Sequence, residues 1–258
     1  MRRLLLAALL CAWVAGAIAF GSTDHAMRAP RDLVRPVALP FLWRSLADAA
    51  EKSDPAEAYE CAQRLLAATP GWADGHAVFA FRYALQGGAT VLDPTARAVA
   101  AKDRLLVALA VMEDARASCG PRESALLADM AWLVELAVRN EPGIAPLLDP
   151  DPAILADRLL AEAESHGGGR MVREKRLYDV PRLCAALLRA GDRRSALALL
   201  DEAAVRCAQS GIEELAGEWR ATLLATRTLL AGEGPANPAL REQQKADPRL
   251  EALAPFLR

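Results

Sequence analysis

The chain contains few of the residues from which β-sheets are built. Aromatic residues make up 5% of its 258 positions, and valine, isoleucine and threonine together contribute only 24. Alanine and leucine, which are strong helix formers, contribute 56 and 41. Because strands favour β-branched and aromatic side chains, this composition excludes a β-sandwich or barrel and argues against a parallel α/β sheet. We therefore predict an all-α fold.

The chain also lacks an excess of charge of either sign. It has 31 lysines and arginines against 33 aspartates and glutamates, a formal net charge of −2. Proteins that bind the nucleic-acid backbone carry a basic excess, and so do proteins that bind anionic membrane surfaces through polybasic segments. The balance predicts no nucleic-acid partner and no polybasic contact with a membrane.

Histidine is scarce, and sequence motifs of catalytic sites are absent. The three histidines are His25, His76 and His166, and His166 has one acid, Glu162, four residues before it. Zinc takes three or four protein ligands, so this single pair predicts no metal site; a position at a helix C-terminus explains His166. The sequence has no H-E-x-x-H, G-x-S-x-G or Walker A motif. We predict no catalytic residue, no metal ion and no cofactor.

The cysteines show no redox or metal-binding spacing. Cys11 lies in the apolar N-terminal run, and the other four, which are far apart and form no C-x-x-C pair, are Cys61, Cys119, Cys184 and Cys207. Free cysteine is among the most buried residue types. We interpret these four as small residues packed between helices, and their spacing leaves disulfide formation open.

The N-terminus has the three parts of a secretory signal peptide. Arg2 and Arg3 precede an apolar or small run from Leu4 to Phe20, which contains the small-x-small sequence Ala17-Ile18-Ala19. The alternative is an uncleaved membrane anchor, but seventeen helical residues span only about 25 Å of the ~30 Å hydrocarbon core. We therefore favour a cleaved signal over residues 1–19. In either case we expect the rest of the chain to be exported, and it would then be periplasmic, secreted or membrane-anchored outside the cytoplasm.

The remaining chain divides into a linker and a helical domain. Residues 20–40 contain Pro30, Pro36 and Pro40 and have no sustained periodicity, whereas residues 41–258 contain repeated helix-start signals. Each start signal is an Asx residue directly before a proline. The Asx side chain accepts hydrogen bonds from free backbone N–H groups in the first turn, and the proline has no N–H that would need a partner. The signals begin at Asp54, Asp93, Asp151, Asn237 and Asp247. We predict helices over 41–53, 55–69, 72–86, 93–118, 121–139, 151–166, 171–190, 192–210, 211–231, 238–246 and 248–257.

One part of this pattern resembles a known helical repeat. The spaced positions are Val180, Leu183, Cys184, Leu187, Gly191, Ala196, Leu200 and Ala203. Their offsets resemble those of the tetratricopeptide repeat, a helix–turn–helix unit of about 34 residues. The resemblance implies that Gly191 lies in the turn and Ala196 at the closest contact between the helices. Ala208 stands where the repeat usually ends in proline.

A second match lies nearer the N-terminus. The second helix of such a repeat is matched by Ala58, Ala62, Leu65 and Pro70, and its first helix, one residue out of register, by Trp43, Leu46 and Ala47. The first helix of the following repeat would contain His76, Phe79, Ala80 and Tyr83. The similarity covers about half the chain in degenerate form. It implies an α-solenoid of stacked antiparallel helical hairpins, and a generic array of such hairpins stays the alternative.

Stacked hairpins form surfaces that receive a partner. We therefore predict an exported, non-catalytic scaffold that binds a protein or peptide and contacts a membrane only through an uncleaved N-terminal segment. Its candidate partner-binding residues come from the first helices and are of types common at binding hot spots: Trp43, His76, Arg82, Tyr83 and Arg182. The alternatives are an all-helical enzyme with an acidic groove and a membrane-tethered spacer.

One basic stretch has two interpretations. It contains Arg170, Arg173, Lys175 and Arg176 and follows the turn Gly167-Gly168-Gly169. It can be the solvated face of a helix, or it can contact an acidic partner or anionic lipid head groups. We favour the solvated face, since charged residues are expected on the outer side of an amphipathic helix.

Overall fold

Helices dominate the described part of the chain. The computed structural model describes residues 38–49, 55–69, 71–85, 93–232, 242, 244 and 246–257, and these residues contain no β-strand. The all-α prediction is thus confirmed for this part. The predicted signal segment, residues 1–19, lies outside the described residues, as does most of the linker assigned to 20–40.

Ten α-helices can be given with bounds, and the described residues 242, 244 and 246 are α-helical as well. The ten helices are α1 (residues 38–49), α2 (Pro55–Ala68), α3 (Ala73–Leu85), α4 (Pro94–Cys119), α5 (Glu123–Asn140), α6 (Pro152–Ser165), α7 (Arg170–Tyr178), α8 (Val180–Arg189), α9 (Arg193–Gln209) and α10 (Arg220–Ala231). Short 3₁₀ helices cover Gly120–Arg122 and Pro142–Leu147, and a longer one covers Pro248–Phe256. Helix α1 is already formed at residue 38, before the predicted end of the linker at residue 40.

The Asx-proline signals begin helices as predicted wherever the structure describes them. The carboxylate of Asp93 accepts a hydrogen bond from the backbone N–H of Ala96, and that of Asp151 accepts one from Ala153 at 2.9 Å. Asp247 caps the 3₁₀ helix in the same way. Each cap satisfies a backbone donor that has no partner within its own helix.

Two of the predicted helices are not regular. The prediction of a single helix over 171–190 is wrong, because α7 ends at Tyr178 and α8 begins at Val180. Pro181 lacks an N–H and its ring clashes with the preceding turn, so it can occupy only the first turn of a new helix. The helix predicted over 211–231 contains a π-helical turn at Leu215–Trp219 before α10.

The chain divides after Gly75 into two compact units. In the first unit, α2 buries Cys61, Ala62, Leu65 and Leu66. The ring of Trp43 on α1 meets that of Trp72 edge to face, with centroids 5.5 Å apart. A side chain at position 75 would collide with the Trp72 ring, which explains the glycine there.

The second unit contains α4 to α10. Its most extensive helix contact joins α5 and α6, and α9 packs against both α8 and α10. One buried cluster in this unit is centred on Trp219 and includes Cys184, Ala196, Leu200 and Leu223. The 3₁₀ helix Pro248–Phe256 packs on α8 and adds Leu250, Leu253 and Leu257 to the same cluster.

A tight glycine turn joins α8 to α9. Gly191 has φ +79°, a conformation that only glycine adopts without strain, and its N–H bonds the carbonyl of Leu188. Asp192 ends one helix through its own N–H and caps the next through its carboxylate, which accepts from the Ser195 N–H at 3.0 Å. Ala196 is fully buried beside the thiol of Cys184.

Among the helices that the structure describes, none combines enough length with enough apolar character to cross a bilayer.

Candidate functional site

A cleft of about 330 Å³ opens on the second unit. It lies between the C-terminal half of α5, the first two turns of α6, and helix α8, with Ala145 and Ala252 contributed by two of the 3₁₀ helices. Its volume falls in the range of small-ligand and side-chain pockets. We take this cleft as the candidate functional site.

The floor of the cleft is apolar and built from small side chains. The residues that form it are Val138, Ala145, Pro152, Ala153, Ala156, Leu183 and Ala252. Alanine methyl groups let the helices approach closely and still leave space above them. The floor therefore offers an apolar surface to a ligand group of modest size.

One wall is a cluster of two carboxylates and two cations. The ammonium of Lys175 lies 2.7 Å from Oε1 of Glu135 and 2.6 Å from the carboxylate of Asp179. The Arg182 guanidinium lies further from the same two acids, at 3.5 Å and 3.6 Å. Lys175 thus makes the close contacts to both acids, and Arg182 is a second, looser cation beside them.

Glu135 is the carboxyl in this cleft whose pKa is raised. Burial disfavours its charged form, and the neighbouring negative charge of Asp179 adds to the effect, so the pKa of Glu135 lies above its ordinary value despite its bonds to Lys175. A carboxyl of this kind in a cleft is a candidate acid or base. Its two oxygens, however, are already occupied by Lys175 and Arg182.

The opposite wall is held by arginines that bridge helices. Arg176 on α7 bonds Asp157 at 3.0 Å and Glu164 at 2.6 Å, both on α6, and Arg206 on α9 bonds Glu164 at 3.0 Å. Burial alone would raise the pKa of Glu164, but the two arginines together hold it below its ordinary value. Arg189 closes this side through Asp151 at 2.9 Å.

Arg139 stands apart from these pairs. It is exposed at the mouth of the cleft, and the described part of the chain gives it no ion-pair partner. Glu135, one helical turn earlier, would be its natural partner on α5. That acid is instead bound by Lys175 and Arg182 from across the cleft.

The structure places the five predicted partner-binding residues in different environments. Arg182 lies in the cleft with half of its side chain exposed. On α3, Arg82 is exposed and Tyr83 is half-buried, stacked on Phe79 with centroids 5.8 Å apart. His76, also on α3, is only 6% exposed, so its side chain packs inside the protein.

The fifth predicted residue, Trp43, lies in the first unit. Its ring is exposed and helps to line a shallow depression with Leu39, Thr69, Gly71 and Trp72. The depression is open and carries no charged side chain among these described residues. It places Trp43 on an accessible aromatic surface.

Sequence reasoning named Arg182 as a partner-binding residue and Lys175 and Arg176 as part of a basic stretch, but it did not connect them with Glu135. Glu135 and Lys175 are 40 residues apart, and no local pattern links them. The available signals were two i,i+4 pairs of opposite charge, Glu135 with Arg139 and Lys175 with Asp179. Only the second of these forms.

Most of the basic stretch that follows the glycine turn is neutralised. Arg170 pairs with Glu174, Lys175 with Glu135, and Arg176 with Asp157. Arg173 is exposed and has no ion pair in the described part of the chain. The stretch therefore acts mainly in joining helices.

The Glu162–His166 pair belongs to a helix end. His166 ends α6, and its Nδ1 lies 2.9 Å from the Glu162 carbonyl, while the Glu162 carboxylate bonds Arg116 on α4. Arg116 also holds Glu113 at 2.8 Å and Glu123 at 2.9 Å, so it joins three helices. No group of three or more potential metal ligands occurs within the described residues.

The four cysteines of the helical domain are buried, and none of these four forms a disulfide. Burial raises the pKa of the Cys184 thiol to about 12, and it raises that of Cys207 as well. The reactive form of cysteine is the thiolate. These positions agree with their interpretation as packing residues.

Comparison with known proteins finds no match to this chain. No protein-family model matches it, and no curated protein or solved structure matches it.

Proposed function

We propose that this chain is a non-catalytic helical scaffold that binds a protein or peptide partner, and that the cleft between α5, α6 and α8 receives a segment of that partner. The observation that carries the proposal is an apolar floor of small side chains beneath a rim of arginines. Such a combination suits an amphipathic segment, because apolar groups give area and arginines give directed hydrogen bonds.

The hairpin turn at Gly191 supports the same proposal. A glycine in the turn and a small residue at Ala196 are what the resemblance to the tetratricopeptide repeat implies for such a hairpin, and here Gly191 has a positive φ and Ala196 is buried. In a stack of such hairpins each unit covers the apolar face of its neighbour and leaves one face for ligands. We propose this solenoid arrangement for the helical domain.

The chemistry of the cleft favours binding over catalysis. The carboxylates in its walls are bound to cations. In the part of the chain that the structure describes, the cleft lining contains no serine, cysteine or histidine that could pair with a base as a nucleophile. The cleft does offer exposed guanidinium groups, which can donate hydrogen bonds to a bound partner.

Site-directed photocrosslinking tests this function. The photoreactive residue p-benzoylphenylalanine is placed at Arg189, which is exposed at the cleft, and in a control variant at Glu202, which is exposed on α9 outside it. We expect a discrete protein adduct from the first variant and none from the second, identified by mass spectrometry. Absence of any adduct, or equal adducts at both positions, contradicts the proposal.

We also propose that the scaffold is exported, on the strength of residues 1–19. The mass of the mature protein, recovered from cells that express the full chain, tests this. A product that begins at Phe20 shows cleavage and excludes permanent anchoring through this segment. A product that begins at Met1 in the cytoplasmic fraction contradicts export.

A further inference from the structure

The ion pairs around the cleft leave one positive charge without a counterpart. Four arginines and four acids line the cleft: Arg139, Arg176, Arg182 and Arg189 with Glu135, Asp151, Asp157 and Asp179. Their ion-pair partners outside the lining are Lys175, Arg206 and Glu164, so the whole network has six cations and five carboxylates. The excess lies with Arg139, the one arginine of the set without an ion pair in the described residues. A ligand with a single negative group complements this surface.

Arg182 can also turn towards a ligand without leaving an acid unpaired. Glu135 and Asp179 both keep their contacts to Lys175 at 2.7 Å and 2.6 Å when Arg182 moves away. Removing a cation from a buried carboxylate is usually costly, but here the cation that makes the close contacts stays. The cleft lining therefore has two guanidinium groups that can turn towards a ligand, those of Arg139 and Arg182.

An exposed tryptophan lies on the same helix as Arg139, α5. Trp132 is 54% exposed, and it precedes Arg139 by seven residues, which is two helical turns. Seven residues turn the helix by almost two full circles, so both side chains leave the same side, about 10 Å apart along the axis. An exposed tryptophan next to arginine is a typical composition for a binding hot spot.

We infer that the cleft and the adjoining face of α5 bind an acidic peptide segment: an aspartate or glutamate bound by Arg139 and Arg182, with an apolar side chain about three residues away on Trp132. The three-residue separation follows because an extended chain advances about 3.3 Å per residue, which matches the ~10 Å between the two positions. The inference rests on the proposed function and names the partner chemistry of that site.

The test uses fluorescently labelled ten-residue peptides and the full chain. Each peptide is built from glycine and serine, with one aspartate and one leucine separated by one to five positions. Fluorescence anisotropy measures their affinities. We expect the tightest binding at a separation of about three, and loss of binding when lysine replaces the aspartate.

Variants of the protein then locate the site. We expect Arg139→Gln and Arg182→Gln each to weaken binding of the best peptide by roughly tenfold, as for charge-assisted hydrogen bonds. Arg173→Gln is the control, because Arg173 is also exposed but lies outside the cleft, and this variant is expected to leave the affinity unchanged. Trp132→Ala should weaken binding of the best peptide but not of the same peptide with serine in place of its leucine, and Val205→Ala, at another exposed apolar position, should weaken neither.

The outcomes separate this inference from the general function. Peptide binding that is insensitive to the arginine variants, to the lysine replacement or to the separation overturns the inference, and so does absence of binding to every peptide. If the photocrosslink at position 189 still yields a partner in those cases, the scaffold function stands and only the acidic-peptide assignment fails. If neither experiment shows binding, both fail.

Discussion

The indole N–H of Trp219 donates a 3.0 Å hydrogen bond to the backbone carbonyl of Leu177. In a continuous helix that carbonyl would accept from residue 181, four positions later, but residue 181 is proline and has no N–H. Trp219 therefore supplies the donor that Pro181 removes. The break between α7 and α8 and the buried tryptophan are two parts of one arrangement.

Trp219→Phe tests this relationship. We expect a loss of about 1–3 kcal/mol in unfolding free energy, because the Leu177 carbonyl becomes a buried acceptor without a donor. In a Pro181→Ala background the loss should be smaller, since the alanine restores a backbone N–H at that position. Urea unfolding followed by circular dichroism measures the four proteins of this cycle. Equal losses in both backgrounds contradict the arrangement, and Trp132→Phe on the surface is the control.

Two glycines should respond in opposite directions to alanine. Gly191→Ala places a side chain at φ +79° and should destabilise the protein by about 1–2 kcal/mol. Gly217 lies in a helical segment with open space around the position of a Cβ, so Gly217→Ala should stabilise by about 0.4–1 kcal/mol. Thermal melts of both variants check the signs, and an undiminished Tm for Gly191→Ala refutes the assigned turn.

Glu164 should contribute stability that depends on pH. Burial raises its pKa but Arg176 and Arg206 outweigh that effect, so its pKa in the folded state lies below the ordinary 4.5. Between those two values the unfolded chain binds more protons than the folded one, so the stabilisation is present above pH 4.5 and is lost as the pH falls through the folded pKa.

We expect Glu164→Gln to lower Tm at pH 7 by about 2–4 °C, corresponding to ~1 kcal/mol. The difference from the natural protein should shrink when the melts are repeated below pH 4.5. Glu202→Gln, at an exposed position on α9, is the control and should change Tm little at either pH. A Glu164→Gln difference that is constant with pH contradicts the expected role of the two arginines.

The cysteines give a fourth test. Because Cys184 and Cys207 are fully buried and their thiol pKa values are raised, they should not react with a thiol reagent at about pH 8 in the native protein. Both should react quantitatively in denaturant. Peptide mapping of the labelled protein identifies the positions. Rapid native labelling at Cys184 contradicts its burial between α8 and α9.

Local chemistry predicted much of the helical architecture. Asp93 and Asp151 begin helices because a capping carboxylate followed by proline acts within a few residues. Pro181 is a helix-start signal without a capping carboxylate, since Val180 precedes it and Asp179 makes no side-chain cap, and the prediction of one helix over 171–190 gave it too little weight. The π-helical turn before α10 has no comparable local marker and depends on how Leu215 and Trp219 both reach the core.

The cleft was harder to predict because it depends on tertiary contacts. Arg182 was named from its residue type and its helix. Its acidic neighbour Glu135 lies more than forty positions away, and the loss of the local Glu135–Arg139 pair follows only when Lys175 arrives from another helix. Sequence periodicity reports which face of a helix is apolar, whereas the choice between competing ion pairs is made after the helices have packed.

The alanines in the floor of the cleft make its depth easy to change. Ala145 and Ala153 are only partly covered and, unlike Ala252, do not pack against the buried cluster around Trp219, so a larger side chain at either of them would extend into the cleft. Such a change would leave the ion pairs in the walls intact. The size of the accepted ligand can therefore change through a single substitution at either of two positions without a change in that buried cluster.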